Sequence, residues 1–159
     1  MLERTVRSTG PSYTLGGTCR IEHDGRVLLV QTAYRRAWGM PGGLLKRREA
    51  PADGVQREVR EEVGVDVDIV GEPIVVIDSD NRLVDFLFRG ELANGASPDQ
   101  VRAASSEIMS VRWFPLDEVG GVVGGPARMA EKLATYDRYP HGGLVVLEPK
   151  ATRRKSRRR

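Results

Sequence analysis

Between Gly43 and Val65 the chain constrains its own conformation more than anywhere else. Gly43 is followed by five residues and Glu49, then by seven residues and the run Arg57-Glu58-Val59-Arg60-Glu61-Glu62-Val63-Gly64-Val65. Proline is tolerated at a first helical position and glycine suits the left-handed residue beyond a last turn, so the spacing predicts a helix from Pro51 to Gly64. Ala52, Val55, Val59 and Val63 recur at helical spacing as a narrow apolar stripe. Glu58, Glu61 and Glu62 stand at i, i+3 and i+4 on an adjacent face, where like charges weaken an isolated helix by roughly 0.2–0.5 kcal/mol per pair. Gly54 costs about 1 kcal/mol against alanine inside a helix, and Ala50 is a poor N-cap. Such a helix needs packing on one side and positive charge on the other. A hard divalent cation such as Mg²⁺ meets the second need, because it prefers oxygen ligands and bridges one or two carboxylates to a substrate's phosphates.

The flanking sequence places this helix in a sheet. Tyr13 to Glu22 and Arg26 to Thr32 read as strands joined through the turn His23-Asp24-Gly25. Tyr34, Arg35 and Arg36 fall in a loop before Trp38-Gly39-Met40-Pro41-Gly42-Gly43, whose proline and glycines forbid a helix and permit close backbone approach. Val65 to Ile77 and Val84 to Leu92 form a second antiparallel pair about the turn Asp78 to Asn81. Asn94 to Ser105 is a polar loop, Glu107 to Pro115 a strand, Ala127 to Tyr136 a helix with Met129, Leu133 and Tyr136 on one side, and Leu144 to Leu147 a last strand. Elements in this order predict an α/β fold with a mixed, mainly hairpin-connected sheet flanked by helices.

At 159 residues the chain suits one domain, taken as residues 1–149. The formal charge of +3 hides an asymmetry: Lys150 to Arg159 holds seven basic residues and no acid, leaving residues 1–149 with eighteen basic against twenty-two acidic residues, or −4. A block of like charge without apolar residues is expected to be disordered, serving as a solubilising tail or as an arm that touches nucleic acid. No run approaches the ~20 apolar residues of a membrane span, and no apolar leader is evident, so a cytoplasmic protein without membrane contact is expected. Cys19, the single cysteine, reads as core filler and agrees with a reducing compartment.

The pattern from Gly43 through Glu49, Arg57, Glu58, Val59, Glu61, Glu62 and Gly64 to Val65 resembles the signature of the Nudix hydrolases at every fixed position. Glu107 to Glu118 is also similar to a segment that many members carry. The resemblance implies an α/β/α sandwich and a Mg²⁺-dependent pyrophosphohydrolase, with Mn²⁺ as an alternative metal, cleaving a nucleoside diphosphate linked to another moiety. It further implies metal ligation by Glu58, Glu62 and the Gly42 carbonyl, with Glu61 completing the set directly or through water and Glu107 as a further ligand. Glu61 or Glu58 would act as general base. Glu49 and Arg57 would tie the loop to the helix, with Gly43 and Gly64 as structural supports of the site. A homodimer is compatible with the family's habits.

The substrate is not written in this block. An upstream motif of coenzyme A hydrolases is missing from Leu28 to Met40. Asp80-Asn81-Arg82 stands where ADP-ribose and diadenosine polyphosphate branches carry a proline or a tyrosine. Tyr34 and Phe86 are candidates to stack on a base, and Arg35 and Arg36 to meet phosphates, although Phe86 is equally readable as core beside Phe88. A (deoxy)nucleoside triphosphate or nucleotide sugar is the leading substrate. An RNA 5′ end, suggested by the basic tail, and a non-catalytic nucleotide-sensing module are the alternatives.

Overall fold

Alternation of apolar residues along the strands sets both faces of a mixed sheet, and a helix covers each. A computed structural model of the chain describes residues 12–34, 37–119 and 128–147. Arg35, Arg36, the segment 150–159 and the side chain of Met129 lie outside the described residues. The strands are β1 (Thr14–His23), β2 (Arg26–Thr32), β3 (Trp38–Gly39), β4 (Gly42–Leu44), β5 (Val67–Asp78), β6 (Leu83–Leu92), β7 (Ile108–Pro115) and β8 (Gly143–Leu147). The helices are α1 (Pro51–Val63) and α2 (Arg128–Arg138), and a 3₁₀ turn spans Pro98–Gln100.

The sheet runs β3-β2-β1-β6-β5-β8, with β4 paired to β1 and β7 to β2. The expected hairpins form, β1 with β2 and β5 with β6, both antiparallel. Yet β1 meets β2 only at Glu22↔Val27 and His23↔Arg26. Along most of its length β1 lies parallel to β6, from Thr14↔Leu83 to Ile21↔Gly90, a long-range pairing that the local hairpin signals do not contain. The β5–β8 pair is parallel as well.

On one face α1 buries Val55, Val59 and Val63 completely against Cys19, Ile21, Val67 and Phe88. Burial holds the Cys19 thiol up at about 12, so it packs as an apolar group. On the opposite face Leu87, Ile74 and Val76 meet Tyr136 of α2, together with Val27, Leu29 and Phe114. Adjacent β6 residues thus serve different layers, Leu87 under α2 and Phe88 under α1, as a two-residue strand period requires.

The boundaries of α1 follow from its ends. Pro51 occupies the first turn, Ala50 provides no side-chain cap, and Gly64 closes the helix at φ 75° with its N–H donating to the Arg60 carbonyl. Gly54 has a steric reason: a side chain there would begin 2.9 Å from Glu49 Oε2 and press on Leu45. The helical propensity lost at Gly54 makes room for the loop that carries Glu49.

Candidate active site

The site is built where α1 lies across β4. The ladder between β1 and β4 sets Gly17 opposite Gly43 and Thr18 opposite Gly42, leaving backbone with almost no side chains beneath the helix. Gly42 adopts φ 147° and packs against the Gly17 and Thr18 backbone, so a side chain is excluded there. At Gly43 a side chain would begin 2.6 Å from the carboxyl carbon of Glu58. The bare corner read from the sequence therefore lets the helix carboxylates approach main chain directly.

Glu62 is half-buried and is held by the Gly42 N–H, which donates to its Oε2 at 2.9 Å. Burial first, then the charges of Glu58, Glu107 and Glu61, raise its carboxyl to about 7, against the opposing pull of the Gly42 hydrogen bond. Glu58, Glu107 and Glu61 thus stand close enough for their charges to act on Glu62. Glu107 enters from the turn before β7, far along the chain, where its carbonyl also accepts from the Ala33 N–H at 2.8 Å.

Arg57 organises the remaining charges. Its Nε and Nη2 donate to Glu49 Oε1 and Oε2 at 2.8 and 3.0 Å, a two-point clamp between helix and preceding loop. The clamp is reinforced by the Lys46 N–H on Glu49 Oε2 at 2.7 Å. Chiefly through the Arg57 hydrogen bond, the Glu49 carboxyl is lowered to about 2, and the guanidinium is raised in turn. Arg57 Nη1 also donates to Glu58 at 2.6 Å and more loosely to Glu61 at 3.4 Å. Lys46 comes within 3.9 Å of Glu61, which is 54 % exposed. Lys46 is a neighbour that the sequence reading did not single out, and its place before Glu49 was the available signal.

The donor set tests whether a cation belongs here. Among the described residues no three acidic, imidazole or thiol groups converge tightly enough, as the side chains stand, to cage a metal. Glu58 is turned toward Arg57, and Glu62 toward the Gly42 amide. The chemistry still fits a hard dication: oxygen donors only, four neighbouring carboxylates, and one acid whose proton affinity is raised by burial and then by its neighbours. Glu58, Glu61, Glu62, Glu107 and the Gly42 carbonyl could hold it.

The other candidates fall elsewhere. Phe86 is half-buried and stacks on Phe88 with ring centroids 6.5 Å apart, packed with the core under α1. The structure thus places it with packing rather than as a free stacking platform. Tyr34 is exposed in the turn after β2, and Gly64 closes the helix two residues beyond Glu62.

Residues 17–136 match the NUDIX domain family. A MutT-like protein of Streptomyces ambofaciens is 35 % identical over 72 % of this chain and 67 % of its own length. A protein of Danio rerio named 8-oxo-dGDP phosphatase is 33 % identical over 55 % of this chain and 27 % of its own length, so the chain spans only about a quarter of that relative. The crystal structure of a NUDIX hydrolase from Nitrosomonas europaea superposes with a TM-score of 0.70 at 24 % identity, covering 86 % of this chain and 80 % of that one. These likenesses and the fold define a hydrolase of phosphoanhydride bonds. The chain belongs to the NUDIX family.

Proposed function

We propose that the protein is a Mg²⁺-dependent pyrophosphohydrolase of small nucleotides, cleaving the diphosphate of a (deoxy)nucleoside triphosphate or nucleotide sugar. The observation that carries this reading is the half-buried Glu62, fixed by the Gly42 amide and acted on by the charges of Glu58, Glu107 and Glu61. Three acids whose charges act on a fourth suit a cation-assisted phosphate site. The match of every fixed box position supports catalysis over a sensing role, and the printed name of the Danio rerio relative supports a nucleotide substrate.

When bound, a divalent cation supplies positive charge against the diphosphate oxygens and acidity toward the attacking water. Glu62, Glu58, Glu107 and the Gly42 carbonyl would hold it. Glu61 is the better candidate for general base: it is more exposed than Glu58 and its contact with Arg57 is longer, 3.4 against 2.6 Å. A carboxylate engaged weakly is free to take a proton from water within hydrogen-bond reach. Arg57, through Glu49, positions the helix that carries these acids.

Glu61→Gln and Glu62→Gln are expected to lower kcat by at least about 10²-fold while the circular dichroism spectrum is retained. The assay is release of phosphate or pyrophosphate from a panel of nucleoside diphosphate derivatives with Mg²⁺ and with Mn²⁺. Retained activity in both variants would overturn the assignment.

A further inference from the structure

Lys46 falls among the five residues that the Nudix pattern leaves open between Gly43 and Glu49, so the family resemblance assigns it no role. Its main chain is nevertheless fixed on both sides. The Lys46 N–H donates to Glu49 Oε2 at 2.7 Å, and its carbonyl accepts from the Glu49 N–H at 3.2 Å. Arg48 turns the chain between them at φ 66°. One residue earlier, the Leu45 N–H donates to the Leu15 carbonyl on β1 at 3.0 Å. The turn is thus bound to Arg57 through Glu49 and to the sheet through Leu45.

The Lys46 side chain is the opposite. It is 64 % exposed, and its ion pair among the described residues is a 3.9 Å approach of Nζ to Glu61 Oε1. An ammonium has three donors and no acceptor, so donors remain for solvent or a ligand. The other oxygen of Glu61, Oε2, meets Arg57 Nη1 at 3.4 Å. The candidate base therefore sits between two cations, one on the loop and one on the helix, each at long range. An exposed pair of this length adds little to stability. An anchored main chain with a free ammonium beside the acids suits a group that meets an anion on its arrival. A phosphate competes well against one carboxylate for that ammonium, because it carries more charge and more acceptor oxygens.

We propose that Lys46 is a substrate-contacting residue, which leaves Glu61 to bind a phosphate oxygen of the diphosphate, and that this exchange uncovers Glu61 Oε1 for the attacking water. The proposal rests on the hydrolase reading above and adds a residue to it. In the hydrolytic step the water oxygen forms the new bond to phosphorus and its proton passes to Glu61. The bridging P–O bond breaks, and its electron pair leaves with the departing phosphate. Lys46 makes and breaks no covalent bond in that step. Its ammonium opposes the phosphate charge, and its withdrawal leaves Oε1 to accept the proton. Empty and loaded sites then differ in which anion Lys46 holds, so the base stays engaged until a diphosphate is present. Arg47 is the natural control: it is adjacent, positively charged and exposed, and it makes no ion pair among the described residues.

The test titrates the full-length protein, with Mg²⁺ present, with methylenediphosphonate, whose P–C–P bridge cannot be hydrolysed. Lys46→Met is expected to weaken its binding about ten- to a hundredfold, as for loss of a charge-assisted hydrogen bond. Lys46→Arg, which keeps the charge, and Arg47→Met, which removes a neighbouring one, should each stay within about threefold of the wild type. In hydrolysis, Lys46→Met should raise KM by the same factor as the binding loss while kcat is largely kept, since methionine leaves Glu61 free. The side-chain amine resonance of Lys46, identified by its loss in Lys46→Arg, should shift when methylenediphosphonate is added to the wild type. Equal weakening by Lys46→Met and Arg47→Met would mean that only the overall charge of the loop matters. A fall in kcat at unchanged KM would mean that Lys46 acts through Glu61 alone. Either result overturns the proposal, as does an unmoved Lys46 resonance. Should Lys46→Met fail to fold, the wild-type resonance decides alone. Lys46-dependent binding of methylenediphosphonate by a protein that hydrolyses no nucleotide would sink the hydrolase reading and leave the contact standing. Nucleotide hydrolysis unaffected by Lys46→Met would do the reverse.

Discussion

Glu49 is the residue through which acidity reaches the site. Its carboxyl titrates at about 2 instead of 4.5, chiefly because Arg57 donates to it. A lowered folded-state value means that the ionised form favours the fold. The contribution is complete above about 4.5 and is lost as pH falls toward about 2. Glu49→Gln should therefore lower Tm near neutral pH and converge with the wild type near pH 2. Thermal denaturation at a series of pH values measures this, and a constant gap across the range would refute it. Glu49 was legible as a tie only through the family pattern, which sets seven residues between it and Arg57. Its pairing with the Lys46 amide was not, since backbone donors leave no mark in composition.

Gly54 shows the same economy at the scale of an element. In an exposed helix, glycine to alanine stabilises by about 1 kcal/mol. Here the added methyl group would meet Leu45 and Glu49 Oε2, and Glu49 is held by Arg57 and by the Lys46 amide. Gly54→Ala should thus destabilise, by roughly 1–3 kcal/mol as in other overpacked sites, and reduce turnover along with Tm. A rise in Tm would show that the loop yields freely. The helix itself was readable, from Pro51 to Gly64, because period, start and stop signals coincide within a short window. The same reading recorded Gly54 only as a cost, for its benefit lies in a loop whose path no periodicity reports. Asp85 was harder: alternation puts it in register with Leu87 and Arg89, and only the parallel pairing of β1 with β6 and the placement of α2 turn that register into a buried face.

For the whole molecule, the sheet is a partition, with the proposed catalytic carboxylates on the α1 side and a separate fastening on the α2 side. Tyr136 is fully buried, with the guanidinium groups of Arg20 and Arg89 at 5.6 and 5.4 Å from its ring. Arg89 also donates to the carbonyls of Tyr136 and Tyr139, at the end of α2 where helix carbonyls lack partners. Arg20 reaches Asp137 at 2.7 Å, so strands β1 and β6 both grip the last turn of the helix. Arg89→Met removes charged hydrogen bonds of about 1.5–3 kcal/mol and a cation–π contact of about 0.5–2 kcal/mol, partly offset by the exposure of the group. The expected loss is about 2–3 kcal/mol, concentrated in α2. Amide hydrogen exchange should quicken along Lys132 to Arg138 while Val55 to Val63, packed on the other face by different residues, keep their protection. Equal acceleration of both helices would instead mean that the two faces unfold as one cooperative unit, and the partition would then be architectural without being energetic.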